Sequence, residues 1–115
     1  MIPFCFYFGG VKIKIKEKSF FARIAARQLK CKTVAAVFGN TIHLWNVSRE
    51  DFMKRTSWVV HEVEHVRQFQ RYGAVRFSAL YLIEYTRNGY HNNRFEVEAR
   101  VAEMGLGDLA GIEFV

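Results

Sequence analysis

The sequence predicts an α+β domain, with a small antiparallel sheet in its first half and helices in its second. Three observations carry this expectation. Val11-Lys12-Ile13-Lys14-Ile15-Lys16 alternates apolar and basic residues, the period of a strand with one solvated face. Gly39-Asn40 separates two strand-like runs, residues 33–38 and 41–45, as a two-residue hairpin signal. From Ser48 onward, apolar residues return at helical spacing.

The elements follow in order. Residues 1–10 are apolar, lack a basic leader and are short for a secretion signal; they read as a buried or edge strand, or as a membrane-contacting segment. After the lysine strand, Ser19 can cap a helix over 20–30, with Phe21, Ile24, Ala25 and Leu29 at core spacing. The hairpin comes next. Ser48, followed by Glu50 and Asp51, opens a short helix. Residues 56–72 read as one long helix, capped by Thr56 or Ser57 and ended by Gly73. Apolar Trp58, Val59, Val60, Val63, Val66 and Phe69 cover more than one stripe of it, so it is expected to be mostly buried. Residues 74–86 form a further helix, broken by Asn88-Gly89. Asn93 with Glu96 fits a capping box that starts the last helix, which Gly105 can end. Residues 106–115 read as a tail.

The chain of 115 residues has enough material for one domain and not two. Within it, 1–47 reads as scaffold and 48–105 as the helical part that carries the chemistry described next. Half the residues are hydrophobic and 11 are Phe, which argues for a packed core and against disorder. No stretch reaches the roughly 20 apolar residues of a membrane span. Without a signal, a cytoplasmic location is expected, with Cys5 and Cys31 as reduced core residues. The net charge of +6 and the cluster Lys12, Lys14, Lys16, Lys18, Arg23, Arg27, Lys30 and Lys32 allow a polyanion or an anionic surface as partner. No nucleic-acid-binding motif accompanies them.

The chemistry is carried by His61-Glu62-Val63-Glu64-His65, an H-E-x-x-H pattern. Residues four apart share one face of a helix, so His61 and His65 can direct two imidazoles at one ion. Glu62 can reach a water on that ion as general base. Burying two His and a Glu is costly without partners, and a metal removes that cost for the His pair. Zinc suits the donors, although Fe, Co and Ni also accept imidazole. A third protein ligand is required. Glu96 in the first turn of the last helix is the leading candidate, and its bland alternative is a capping carboxylate. Glu98 lies about 200° away around the same helix and is the second choice. His91, in the preceding loop, is the third. Gln68 lies near the face of His65 and reads as a surface residue, a substrate contact or a support for the site.

H-E-x-x-H on one helix with a Glu from a later helix resembles the thermolysin-like zinc metallopeptidases, the gluzincins. The longer string His61-Glu62-x-x-His65-x-x-Gln68 with Phe95-Glu96-x-Glu98-Ala99 is also similar to small bacterial zincin-like domains of unknown function. The resemblance covers about residues 56 to 105. It departs at Arg100, where an Asp that supports a ligand His is common, and at Glu64, where an uncharged residue is usual; Glu64 faces solvent or pairs with Arg67 or Gln68. The resemblance implies zinc held by His61, His65 and Glu96, and a peptide or protein substrate hydrolysed with Glu62 as base. It also implies a strand before the motif helix that a substrate extends, for which Thr41–Trp45 is the candidate. Tyr85, Tyr90, His91 and Arg94 are open as donors to the oxyanion. Three functions fit these features: a zinc metallopeptidase, a zincin-fold binding module without catalysis, and a basic nucleic-acid or membrane-surface binder.

Overall fold

The computed structural model describes residues 11–104, 109 and 112–115. The chain runs β1 (Val11–Lys16), α1 (Phe20–Leu29), β2 (Val34–Phe38), β3 (Thr41–Trp45), α2 (Arg49–Met53), α3 (Thr56–Tyr72), α4 (Ala74–Asn88), α5 (Arg94–Met104) and β4 (Ile112–Phe114). This is the expected α+β class.

The sheet has the order β2-β3-β1-β4 and is mixed, not antiparallel. Only the hairpin β2–β3 is antiparallel; β1 runs parallel to both β3 and β4. The alternation in β1 correctly sorts its two faces, with Ile13 buried and Lys12, Lys14 and Lys16 exposed. Alternation says nothing about which strand lies alongside. The expected tail contains β4, whose neighbour β1 is the first described element. Arg49 pins that edge, donating from Nη1 to the Val115 carbonyl at 3.0 Å and from Nη2 to the Phe114 carbonyl at 2.9 Å.

The main core lies between one sheet face and the helices. Ile13, Ile42 and Leu44 meet Phe52 of α2 and Val59, Val63 and Val66 of α3. The other face carries α1, which seats Ala22 and Ala26 against Val34. Phe21 and Ile24, expected in the core, are about half exposed instead, because the helix approaches the sheet through its alanines. A third cluster, Phe69, Phe77 and Phe95, joins α3, α4 and α5 edge to face, with ring centroids 4.6 and 4.9 Å apart.

Local chemistry accounts for the boundaries. Ser19 caps α1 by accepting from the Ala22 N–H, and Ser48 caps α2 by accepting from the Asp51 N–H. In the β2–β3 turn only Gly39 has positive φ, at 65°, the type II′ pattern. Neither Thr56 nor Ser57 caps α3. Arg55 holds that position without a side-chain bond, because the chain enters directly from α2 through Arg55 N–H to Phe52 carbonyl, 3.0 Å. Gly73, at φ 83°, ends α3 and turns the chain straight into α4. Cys31 is a free, exposed thiol and no core residue. The strand expected within residues 1–10, Cys5 and the stop at Gly105 lie outside the described residues.

Candidate metal centre

Helix α3 is buried on most of its circumference, as its residues require, and it carries Glu62, His65 and Gln68 inward among valines. Helix α5 starts at Asn93, whose side chain accepts from the Phe95 N–H at 2.9 Å. This is half of the expected capping box. The Glu96 carboxylate does not turn back to the Asn93 N–H; it crosses to α3 instead.

There, one oxygen of Glu96 meets both imidazoles. Its Oε1 lies 3.0 Å from His61 Nε2 and 3.1 Å from His65 Nε2. Tyr81 of α4 donates to the other oxygen at 2.6 Å. His61, His65 and Glu96 are therefore a buried group whose three donor atoms lie within 4.8 Å of one another, and this group could hold a metal ion. Of the candidates for third ligand, Glu96 is the one brought in. Glu98 points aside and accepts from Gln68 Nε2 at 3.0 Å. His91 is exposed, and its backbone carbonyl accepts from Arg100.

The chemistry of the donors fits a metal. His61 Nδ1 faces Glu103 Oε2 at 2.5 Å, and His65 Nδ1 donates to Gln68 Oε1 at 2.8 Å. The Gln68 amide is oriented by its own donation to the Phe95 carbonyl at 3.1 Å. With both Nδ1 atoms engaged as donors, a neutral imidazole at either position turns its Nε2 lone pair toward Glu96. A carboxylate or amide behind each ligand His is the usual outer support of a metal site. The support thought missing at Arg100 comes from Glu103, one turn later. Gln68 is buried and no surface residue. Glu64 approaches Arg71, at 3.9 Å.

Without an ion, protons do the pairing. Burial alone would lower the pKa of His65, but the hydrogen bond and charge of Glu96 outweigh it and raise it from 6.5 to about 9. For His61 burial again lowers and the Glu96 hydrogen bond raises, and the net direction is upward. Burial also disfavours ionised Glu96, yet its bonds from His61 and His65 hold it well below the usual carboxylate range. Glu62 differs: burial dominates and raises it from 4.5 to about 7. Burial likewise raises Tyr81 and Tyr90, so both phenols stay protonated.

Glu62 and Tyr90 stand where two open cavities meet. One, of about 570 Å³, is mainly apolar and is bounded by β2, by Phe21 and Leu29 of α1, by Phe69 and by Phe77, Leu82 and Tyr85 of α4; His65 and Glu96 reach its wall. The other, of about 510 Å³, continues past Val34 and Ala35 to Trp58, His61 and His91. Together they form a cleft along β2. The strand expected to receive a substrate, Thr41–Trp45, cannot do so, since β2 and β1 occupy both its sides. Among the described residues the edge facing the cleft is β2. Of the four candidate oxyanion donors, Tyr85 and Tyr90 line the large cavity and His91 the smaller one, while Arg94 lies over the Phe95 ring, 4.6 Å from its centroid.

Tyr81 and Glu103 are the parts that sequence reasoning missed, and the support given by Gln68 was one of its three open readings. Tyr81 looked like another apolar position of α4. Glu103 did carry a signal, because it follows Glu96 by seven residues, two helical turns on one face. Comparison of the chain with protein-family models, with curated proteins and with solved structures found no match.

Proposed function

We propose that the protein is a zinc-dependent peptidase. The observation that carries this reading is the convergence of His61, His65 and Glu96 on one point, with the buried carboxyl of Glu62 in the adjoining cleft. A zinc ion held there would polarise a carbonyl and lower the pKa of water toward about 7. A substrate strand lies along β2, an edge strand among the described residues, bonded through its backbone, and places one side chain in the apolar cavity. Glu62, which burial raises to about 7 in the metal-free group, is the carboxylate placed to accept a proton from the attacking water, and a dication beside it would favour its ionised form. As the C–N bond breaks, Glu62 returns that proton to the departing amine nitrogen. Tyr90 lines both halves of the cleft and is protonated, so it is the hydroxyl assigned to donate to the oxyanion.

One observation favours a second reading. Among the described residues no buried side-chain polar atom lacks a partner, so the group can also stand as a proton-held network in a binding module. The test is metal content and proteolysis on wild type, His61→Ala, Glu96→Ala and Glu62→Gln. About one zinc per chain, lost in the first two variants and kept in Glu62→Gln, is expected. Chelator-sensitive cleavage that disappears in Glu62→Gln completes the case. A chain that takes up no zinc leaves the proton-held network.

A further inference from the structure

Helix α1 is turned the unusual way for a surface helix. It meets the sheet through Ala22 and Ala26, while its large apolar residues face out: Phe20 is 70% exposed, Ile24 51% and Phe21 46%. Phe20 and Ile24 are one turn apart and share a ridge. Phe38, 46% exposed, continues the patch from β2, its ring centroid 6.3 Å from that of Phe21.

Cations surround this ridge. Arg23 and Arg27 flank it on the helix itself, and α1 contains no acidic residue. Lys14 and Lys16 pair in register with Thr41 and His43, so their side chains leave the sheet on the same face as that of His43. His43 touches α1, with Nδ1 2.7 Å from Ser19 Oγ and its ring 5.0 Å from Phe21. The β1 lysines therefore open beside α1. Residues 12–32 hold eight Lys and Arg against one carboxylate, Glu17, in a chain whose whole net charge is +6. Glu17 is directed away, to the Arg49 N–H at 2.8 Å. No ion pair joins any of those eight cations to a carboxylate among the described residues.

We infer that this face binds an anionic membrane surface. A bilayer interface rewards both features at once: apolar side chains enter the acyl boundary while Lys and Arg meet anionic headgroups. Charge and exposed Phe rings would also serve a nucleic acid, but Ile24 on the same ridge has no ring to stack, and a membrane interface takes all of these side chains at once. No described helix is long and apolar enough to cross a membrane, so the contact is with the surface. The inference does not depend on the chemistry of the metal centre. It would give that centre a setting, because the inner flank of α1 also walls the apolar cavity.

The experiment is vesicle cosedimentation of the full chain, using neutral phosphatidylcholine vesicles and vesicles with about 30% phosphatidylglycerol. Three proteins are compared: wild type, Phe20→Ser with Ile24→Ser, and Lys14→Glu with Lys16→Glu, each checked by circular dichroism. Wild type should bind only the anionic vesicles and release them as salt rises from about 0.05 to 0.3 M. Each double variant should bind about tenfold or more weakly. Equal binding to both vesicle types overturns the inference, as does no binding to either. Full retention by the Phe20/Ile24 variant overturns it too, since adsorption would then be by charge alone. Tighter binding to a single-stranded RNA than to anionic vesicles at the same salt makes the partner a nucleic acid. A dimer of wild type that the Phe20/Ile24 variant dissociates makes it a second copy.

Discussion

At the scale of single residues, the candidate centre is decided by what stands behind each ligand. Glu103 and Gln68 set the ring orientations of His61 and His65 without entering the donor triad. Removing either leaves an imidazole free to rotate or to present the wrong nitrogen. Glu103→Ala and Gln68→Ala should each weaken zinc binding about 10- to 100-fold, read by competition with a chromogenic chelator. Arg100→Asp, the residue usual in the gluzincins, should give no comparable gain, since the support already comes from Glu103. Ser19 shows the same economy on the other sheet face. Its hydroxyl caps α1 and also meets His43, both from a buried position. Ser19→Ala should lower stability by about 1–2 kcal/mol in urea unfolding, the loss of a cap and a buried bond together. An unchanged midpoint would mean that solvent replaces both.

At the scale of elements, α3, α4 and α5 form the frame of the site, and their joints set its geometry. Gly73 serves as the end of α3 and the entry to α4, at φ 83°. A Cβ there would meet no atom within 4 Å, so any cost of Gly73→Ala is one of backbone conformation and not of crowding. That variant should lose about 1–2 kcal/mol and, by shifting α4, loosen the Tyr81 bond to Glu96. Chemical denaturation reads the first effect and zinc affinity the second. The motif helix, its length and its glycine stop were legible in the sequence, because their periodicity and breaker are local properties. The cap of α3 was not. Thr56 and Ser57 looked like caps, but the preceding helix runs in without leaving a side chain that role. Phe21 and Ile24 were also misread, since helical spacing identifies a stripe without telling which stripe meets the sheet.

At the scale of the whole molecule, protons and metal compete for one buried group, and stability should register it. In the metal-free protein Glu62 rises from 4.5 to about 7 and His65 from 6.5 to about 9. Both folded-state values lie above the unfolded ones, so the folded chain binds protons more tightly. That stability is fully present below 4.5 for Glu62 and below 6.5 for His65, and it is lost as pH rises through about 7 and about 9. Glu96 acts oppositely, losing its contribution under acid conditions. Metal-free protein should therefore melt at falling temperatures as pH is raised from 5 toward 9 (roughly the span of the two titrations). Zinc needs neutral imidazoles, so its stabilisation should grow over the same range. At about 1,000 times the dissociation constant it should reach roughly 4 kcal/mol. Thermal scans with zinc and with chelator would show the two curves diverging. Parallel curves would mean that no metal enters this group.

The sequence by itself determined the α+β class, the helix that carries His61, Glu62 and His65, and Glu96 as the leading partner. Each rests on relations within one element or on a residue type matched to its chemistry. The tertiary structure alone decided the rest. It placed β3 inside the sheet and β2 beside the cleft, because strand order depends on how distant segments pair. It delivered β4 from a stretch that read as a tail. It chose Glu96 over Glu98 and His91 through the docking of α5 on α3, and it supplied Tyr81 and Glu103 around them. Glu96 and Glu103 reach His61 from 35 and 42 positions away, and no local spacing on α3 encodes those contacts. They form because burying the apolar faces of α3, α4 and α5 together fixes which polar side chains must meet inside.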